Sequence, residues 1–144
     1  MTVECIWAAE ALLGEGPVWC AREQALWFTD IKGGRLHRLD PASGSKSTFE
    51  VPGQPGFIVP SDDGSFLVGM GRKLCRFSGD EISETIAELD MDSRNRLNDG
   101  AVDAKGRLWF GSMDDSEQEE TGAVYLFDGA SVRPVGGVCP ITNG

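Results

Sequence analysis

The sequence predicts an all-β protein built as part of a β-propeller, and three observations support this fold class. Short apolar runs rich in Val, Ile, Phe and Trp alternate with Gly, Asp, Pro and Ser, a pattern typical of strands separated by turns. No segment has the periodicity of a convincing amphipathic helix. The same strand pattern occurs three times, at a spacing that fits one four-stranded propeller blade.

Each repeat begins with a polar residue close to Gly or Pro, followed by an apolar strand, a turn, an aromatic-rich strand and an outer strand. The repeats begin at Glu15, Gln54 and Asn98, and a fourth begins at Asn143. Their spacing of roughly 40 to 45 residues is the period of one blade. We therefore expect residues 1–144 to form three blades, with innermost strands that start near positions 15, 54 and 98.

The strands within each repeat follow from the same pattern. The predicted strands lie at residues 15–19, 25–30 and 34–40 in the first repeat, 54–59, 65–69 and 72–77 in the second, and 98–102, 107–111 and 122–127 in the third. A stack of three blades leaves an uncovered apolar face at each end. We expect an incomplete propeller, or a chain that self-associates to cover these faces. A small β-sandwich of the same length is the alternative.

Composition limits the partners and the compartment. The net charge of −10, from 23 acidic and 13 basic residues, argues against binding to nucleic acid or to an anionic membrane. The N-terminus lacks the pattern of a signal peptide, and no segment reaches the roughly 18 apolar residues of a membrane span. We expect a cytoplasmic protein. The widely spaced cysteines predict free, mostly buried thiols: Cys5, Cys20, Cys75 and Cys139.

The starts of the repeats are candidate functional positions, because the innermost strands of a propeller meet around its central channel. Glu15, Gln54, Asn98 and Asn143 all carry side-chain oxygens, which are the ligands that Ca²⁺, Mg²⁺ and Mn²⁺ prefer. A nearby glycine in each repeat lets the backbone turn tightly beside a ligand. Alternatively, these residues only mark the turns of blades. However, turn residues alone would not be expected to occupy the same position in all four repeats.

Four segments occur in a fixed order along the chain: residues 13–19 (LGEGPVW), 96–100 (RLNDG), 106–113 (GRLWFGSM) and 141–144 (ITNG). Together they resemble the signature segments of the regucalcin/gluconolactonase family, and the pattern is most similar to that of bacterial xylonolactonases and gluconolactonases. The resemblance covers the whole chain. It implies a six-bladed propeller, of which this chain forms the N-terminal half, and metal-dependent hydrolysis of sugar lactones.

The resemblance also implies roles for individual residues. Glu15 and Asn143 are implied metal ligands, Asn98 lies at the metal and also contacts the substrate, and Arg96 contacts the substrate. The general-base aspartate of the family lies in a later blade beyond residue 144, so no catalytic residue is assigned. The implied cofactor is a divalent ion (Ca²⁺, Zn²⁺, Mn²⁺ or Mg²⁺). The implied substrate is an aldonolactone such as gluconolactone or xylonolactone.

Several residues near these positions allow two interpretations. Asp99 is a candidate for orienting Asn98 by a hydrogen bond, or for capping a turn. Arg96 has the donor geometry to hold sugar hydroxyls or a carboxylate, or it forms a surface salt bridge. The segment 114–120 covers the mouth of the active site in the family, whereas its acidic sequence indicates a solvated loop. The single histidine, His37, is predicted to face solvent.

Two functions from different classes are compatible with these features. In the first, the protein is a lactonase in which a divalent ion polarises the lactone carbonyl and water attacks it, so that no nucleophilic side chain is needed. The absence of a G-x-S-x-G motif agrees with such chemistry. In the second, the propeller is a non-catalytic module that binds a divalent metal or a partner. We expect the four tryptophans to pack between blades rather than to stack on sugars.

Overall fold

The computed structural model describes residues 2–143 and contains three four-stranded antiparallel sheets. Met1 and Gly144 lie outside the described residues, so half of the predicted Asn143-Gly144 start of a fourth blade is not described. In each sheet, strands that are consecutive in sequence are also neighbours in space. Within residues 2–143 there is no helix, and hence none that could span a membrane. The all-β prediction is therefore confirmed.

The bounds of the strands follow the three repeats. The first sheet contains β1 (Gly14–Cys20), β2 (Ala25–Asp30), β3 (Arg35–Leu39) and β4 (Lys46–Glu50). The second sheet contains β5 (Pro55–Pro60), β6 (Phe66–Met70), β7 (Lys73–Ser78) and β8 (Glu81–Glu88). The third sheet contains β9 (Asn95–Val102), β10 (Leu108–Asp114), β11 (Val124–Phe127) and β12 (Val132–Pro134).

The innermost strands predicted near positions 15, 54 and 98 correspond to β1, β5 and β9. Each predicted repeat supplies the first three strands of a sheet, and the outermost strands β4, β8 and β12 complete it. Three separate four-stranded sheets are the blades of an incomplete propeller, and they exclude the two-layer sandwich. The start of a fourth blade at Asn143 stays a prediction.

The second sheet is buried on both faces because it lies between the other two. One apolar cluster fills the space between the first and second sheets, where Trp27 of β2 meets Phe66 of β6 with ring centroids 4.6 Å apart. A second cluster fills the space between the second and third sheets, where Phe57 of β5 meets Phe110 of β10 at 5.7 Å. All five residues of β6 are buried accordingly. Burial of each such aromatic side chain contributes about 1.5–3 kcal/mol.

Close approach of the innermost strands depends on a small residue in β5. A Cβ atom added at Gly56 would overlap the backbone carbonyl of Leu97 in β9. The glycine that the sequence associates with a ligand therefore allows two blades to come together at this position.

His37 of β3 is buried, so the prediction that it faces solvent is wrong. Its ring is 2% exposed and stacks against Phe28 of β2 at a centroid distance of 4.7 Å. The segment that precedes β1 covers it, because Trp7 contacts the His37 ring edge to face at 5.2 Å. His37 Nδ1 lies 3.0 Å from Thr48 Oγ1. The backbone N–H of Leu13 donates to Asp30 Oδ1 at 3.0 Å and so attaches this segment to β2.

The predictions for cysteine and tryptophan are confirmed only in part. All four cysteines are free thiols, but only Cys20 and Cys75 are buried. Trp27 packs between the first two sheets as expected. Trp19 and Trp109 do not, since they are 47% and 37% exposed.

Replacing Gly56 by alanine should destabilise the protein, because the new methyl group would push β5 away from β9. We expect the free energy of unfolding to fall by about 1–3 kcal/mol, the usual cost of overpacking. Urea unfolding followed by tryptophan fluorescence measures this change. Gly137→Ala is the matched control, since a Cβ there meets nothing within 4 Å. Equal effects of the two substitutions would contradict the proposed contact.

The stability of the fold should depend on pH through His37. Burial lowers the pKa of His37 from its ordinary value of 6.5. Between that lowered pKa and pH 6.5 the unfolded chain binds more protons than the folded chain, so the free energy of unfolding rises with pH. We expect a slope of at most about 1.4 kcal/mol per pH unit, the value for one proton. Urea unfolding between pH 5 and 7 measures it.

The control for this pH dependence is His37→Gln, which removes the only histidine in the sequence. The variant should be less stable than the parent, but its stability should vary little between pH 5 and 7. A slope that is unchanged in the variant would show that another group titrates in this range.

Candidate metal and substrate site

Each innermost strand has an irregularity near the start of its repeat. The register of strand pairing shifts at residues 15–18 of β1, at residues 55–57 of β5 and at residues 97–100 of β9. Such bulges change the direction of side chains and are common beside active sites. Glu15 and Asn98 lie in two of the irregular segments. Gly16 follows Glu15 with a φ angle of 56°, a conformation that glycine adopts without strain.

Four of the sequence-predicted residues line a single pocket. Glu15, Asn98, Asp99 and Asn143 line this small pocket together with Gly16. They come from β1, from β9 and from the segment after β12, so the fold brings together positions up to 128 residues apart in the sequence. Gln54, the remaining candidate position, does not line this pocket. Its side chain lies instead in the polar contacts around Asp115.

Hydrogen bonds fix both ends of the Asn98 amide. Its Oδ1 accepts a hydrogen bond of 2.6 Å from Nη1 of Arg96. Its Nδ2 donates to the carbonyl oxygen of Thr142 at 2.7 Å and to Oδ1 of Asn143 at 3.1 Å. Asn98 therefore connects Arg96 to Asn143, and the two amide side chains of the pocket share one hydrogen-bond chain.

Arg96 is almost completely buried, with only 4% of its surface exposed. Its Nε donates to Oδ1 of Asp115 at 2.5 Å, and its Nη1 donates to the carbonyl oxygen of Leu97 as well as to Asn98. The guanidinium group forms an ion pair with Asp115. Because Arg96 is buried, this pair is not the surface salt bridge that the sequence left open as an alternative. The Nη2 atom of Arg96 donates to none of the described residues, so it remains available as a hydrogen-bond donor to a ligand.

Asp115 was not identified by the sequence analysis, although it contacts all three blades. Its Oδ1 accepts from Lys32 Nζ at 2.6 Å as well as from Arg96, and its Oδ2 accepts from Gln54 Nε2 at 3.3 Å. Burial alone would raise the pKa of Asp115, but the hydrogen bonds from Lys32, Arg96 and Gln54 hold it below the ordinary value of 3.8. The carboxylate therefore stays ionised at neutral pH and neutralises part of the charge of the two cations.

The segment 114–120 has two parts with different environments. Residues 116–120 are exposed, as expected for a solvated loop, and Asp114 folds them back by accepting hydrogen bonds from the backbone N–H groups of Ser116, Gln118 and Glu119. Asp115 turns the other way, toward Arg96. Asp99 accepts a hydrogen bond of 2.8 Å from the N–H of Gly100 and also lines the pocket. This bond lies within β9 rather than in a turn, so the capping role and the orienting role of Asp99 both stay predictions.

The donors in the pocket fit a hard divalent cation better than a soft one. Glu15 supplies an exposed carboxylate and Asn143 supplies an amide oxygen, while the pocket has no cysteine or histidine. Oxygen donors of this kind suit Ca²⁺, Mg²⁺ or Mn²⁺. Within residues 2–143, no three His, Cys, Asp or Glu side chains form a cluster that could hold a metal ion. A cation in this pocket would therefore depend on amide oxygens and on ligands from elsewhere.

Comparison with known proteins identifies the family. The sequence model of the SMP-30/gluconolactonase/LRE-like region matches residues 13–144, which include the pocket, Arg96 and Asp115. The chain belongs to the SMP-30/gluconolactonase/LRE-like family. This membership confirms the resemblance that the four sequence segments carry.

Individual members of the SMP-30/gluconolactonase/LRE-like family extend the comparison. A 6-deoxy-6-sulfogluconolactonase from Pseudomonas putida is 41% identical over 115 residues, which are 78% of this chain and 39% of that protein. The structure of a luciferin-regenerating enzyme superposes with a TM-score of 0.83 at 27% identity, over 92% of this chain and 48% of that chain. The calcium-binding protein regucalcin from Agrobacterium tumefaciens superposes with a TM-score of 0.80 at 28% identity, over 87% and 43%. The chain spans less than half the length of each.

Removing the charge of Asp115 should destabilise the site. In Asp115→Asn the guanidinium of Arg96 would stay buried without its ion-pair partner, so we expect the free energy of unfolding to fall by about 1–3 kcal/mol. Lys32→Gln is the matched control, because Lys32 is 38% exposed and contacts the same carboxylate oxygen. Its effect should not exceed about 1 kcal/mol. Urea unfolding measures both; a larger loss in Lys32→Gln would contradict this ranking.

Proposed function

We propose that a protein containing this chain hydrolyses a sugar lactone with the help of a divalent metal ion. The observation that carries the proposal is the single pocket that Glu15, Asn98, Asp99 and Asn143 form beside the buried guanidinium of Arg96. Membership of the SMP-30/gluconolactonase/LRE-like family supports it, as does the name of the Pseudomonas putida relative. The substrate class is an aldonolactone such as gluconolactone or xylonolactone.

Glu15 and Asn143 are the proposed ligands of the metal ion. Glu15 brings negative charge, and within residues 2–143 its carboxylate accepts no hydrogen bond that would compete for a cation. A divalent cation, when bound, polarises the lactone carbonyl and stabilises the negative charge that develops on its oxygen. Asn98 is assigned to the edge of the metal site, where it also faces substrate, because its amide bonds to Arg96 on one side and to Asn143 on the other.

Arg96 is the proposed substrate-binding residue. Asp115 and Asn98 hold Nε and Nη1, which fixes the plane of the guanidinium and leaves Nη2 to donate to a ring hydroxyl or to the developing carboxylate. Because the group is held before substrate arrives, little side-chain entropy is lost on binding. Asp115 is proposed to position Arg96 rather than to react.

The overall reaction consumes one water molecule. The water oxygen bonds to the carbonyl carbon, the bond from that carbon to the ring oxygen breaks, and the ring oxygen leaves as a hydroxyl after receiving a proton. The product is an open-chain aldonic acid, which releases a proton at neutral pH. None of the described residues is assigned as the base that activates the water.

A second candidate function is divalent-metal binding without catalysis. The regucalcin structure from Agrobacterium tumefaciens is described as that of a calcium-binding protein, and this observation favours the candidate. The two functions share the pocket, and they differ in whether substrate turnover accompanies metal binding.

Acid release from gluconolactone and xylonolactone, followed with a pH indicator, tests the proposed function. We expect a protein that contains this chain together with the later blades to accelerate hydrolysis above the spontaneous rate in the presence of Ca²⁺, Mn²⁺, Mg²⁺ or Zn²⁺, and a chelator should abolish the acceleration. Residues 1–144 alone are not expected to suffice, because the family resemblance places the general base beyond them. Glu15→Gln should lower the acceleration at least about tenfold, because the ligand loses its charge while its shape is kept. Glu81→Gln, at an exposed position in β8, should have no effect.

Calorimetric titration with Ca²⁺ and Mn²⁺ separates the two candidate functions. Metal binding that Glu15→Gln weakens, together with absence of metal-dependent hydrolysis, would favour the non-catalytic module. Hydrolysis that is independent of metal, or insensitive to Glu15→Gln, would refute the proposed site.

A further inference from the structure

The segment after β12 turns back onto the third sheet and lies close against its backbone. The N–H of Val135 donates to a carbonyl oxygen of β11 at 2.9 Å, and the N–H of Cys139 donates to the carbonyl oxygen of Gly122 at 2.9 Å. Gly122 and Cys139 form a single antiparallel bridge. We call residues 135–143 the return segment. This segment carries Asn143 into the pocket.

Two glycines allow the return segment to come this close. A Cβ atom added at Gly122 would overlap the carbonyl oxygens of Ser112 and Cys139. A Cβ atom added at Gly111 would overlap the side chain of Thr142. Neither glycine has a positive φ angle, so an alanine could adopt the same backbone conformation. Both positions therefore need the absence of a side chain rather than the conformational freedom of glycine.

Thr142 is attached to two strands of the third sheet. Its Cβ, Oγ1 and Cγ2 atoms lie where a side chain at Gly111 of β10 would be. Its Oγ1 donates to the carbonyl oxygen of Ser112, also in β10, at 3.3 Å. Its own carbonyl oxygen accepts from Nδ2 of Asn98 in β9 at 2.7 Å. Because both its side chain and its backbone are held, Thr142 has a defined position on the sheet.

The place of Asn143 in the pocket depends on these contacts. Asn143 lies outside the strands, so no ladder of backbone hydrogen bonds holds it, and Thr142 is the residue bonded to it on the N-terminal side. The hydrogen bond from Nδ2 of Asn98 to Oδ1 of Asn143, at 3.1 Å, orients the side chain but does not fix the backbone. An amide oxygen has two lone pairs, so Oδ1 can accept this bond and still bind a cation.

We propose that Thr142 is a positioning residue for the metal site. Its contact with Gly111 places the amide oxygen of Asn143 where a cation bound by Glu15 can reach it. The inference rests on the proposed roles of Glu15 and Asn143 as ligands. It adds two residues that touch neither metal nor substrate. Residues that orient metal ligands typically change metal affinity by about 10-fold to 100-fold.

Calorimetric titration with Ca²⁺ and Mn²⁺ tests the proposal in a protein that contains this chain together with the later blades. Gly111→Ala should raise the dissociation constant of the metal at least about tenfold, because the new methyl group takes the place of the Thr142 side chain. Gly137→Ala is the matched control, since it lies in the return segment and a Cβ there meets nothing within 4 Å. It should leave the dissociation constant unchanged.

Thr142→Ala repeats the test by removing atoms instead of adding them, so it remains informative if Gly111→Ala fails to fold. It should also raise the dissociation constant at least about tenfold, because Oγ1 and Cγ2 no longer hold the return segment on β10. The double variant should bind metal no more weakly than Gly111→Ala alone, because both substitutions act through one contact. Circular dichroism checks that each variant keeps the β-sheet spectrum of the parent.

The outcomes distinguish this inference from the proposed function. Unchanged metal affinity in the folded Gly111→Ala and Thr142→Ala variants would overturn the positioning role and leave Glu15 and Asn143 as proposed ligands. An equal loss of affinity in Gly137→Ala would overturn it as well, because that substitution leaves the contact intact. Absence of metal binding by the parent protein would overturn the proposed metal site itself, and the positioning role with it.

A second measurement needs no metal. NMR of the metal-free protein follows the side-chain N–H groups of Asn98, which donate to Thr142 and Asn143. We expect their exchange with solvent to be at least about tenfold faster in Gly111→Ala than in the parent or in Gly137→Ala. Unchanged exchange in a folded Gly111→Ala variant would show that the three residues keep their arrangement without this contact, which would overturn the proposal.

Discussion

The packing of sheet against sheet is the constraint on which the rest of this structure depends. A four-stranded sheet that is apolar on both faces can bury both of them only between two neighbouring sheets. The second sheet meets this condition, and the positions of β1, β5 and β9 around a common axis follow from it. Apolar clusters between the sheets hold these strands in place, while Glu15 and Asn98 at the irregular positions of β1 and β9 are polar.

The polar site depends on local irregularities in the innermost strands of these otherwise regular sheets. Register shifts in the three innermost strands release side chains from the strict alternation of a β-strand, and Glu15 and Asn98 occupy two of these positions. Arg96 connects the polar site to the three packed sheets. The same guanidinium bonds to Asn98 beside the pocket and to Asp115, whose other partners come from the first and second sheets.

Sequence periodicity predicts the parts of this architecture that every repeat shares. The three innermost strands and the common position of Glu15, Asn98 and Asn143 follow from residues that recur in register. The outermost strands β4, β8 and β12 do not, because they are polar and partly exposed and so resemble loops. Local alternation also cannot show that a distant segment covers a strand, which is why the burial of His37 was missed.

Asp115 marks a different limit of sequence reasoning. The segment 114–120 allowed two interpretations, a cover of the active-site mouth or a solvated loop, and neither distinguishes Asp115 from Glu117, Glu119 and Glu120, which look alike in the sequence and are exposed. Its importance comes from contacts with Lys32 and Gln54, which are 83 and 61 residues away.

The strands of each sheet follow one another in space in the order of the sequence. Every blade pairs strands that are adjacent in sequence, so each one can form as soon as its residues leave the ribosome, and assembly can proceed blade by blade in the order of synthesis.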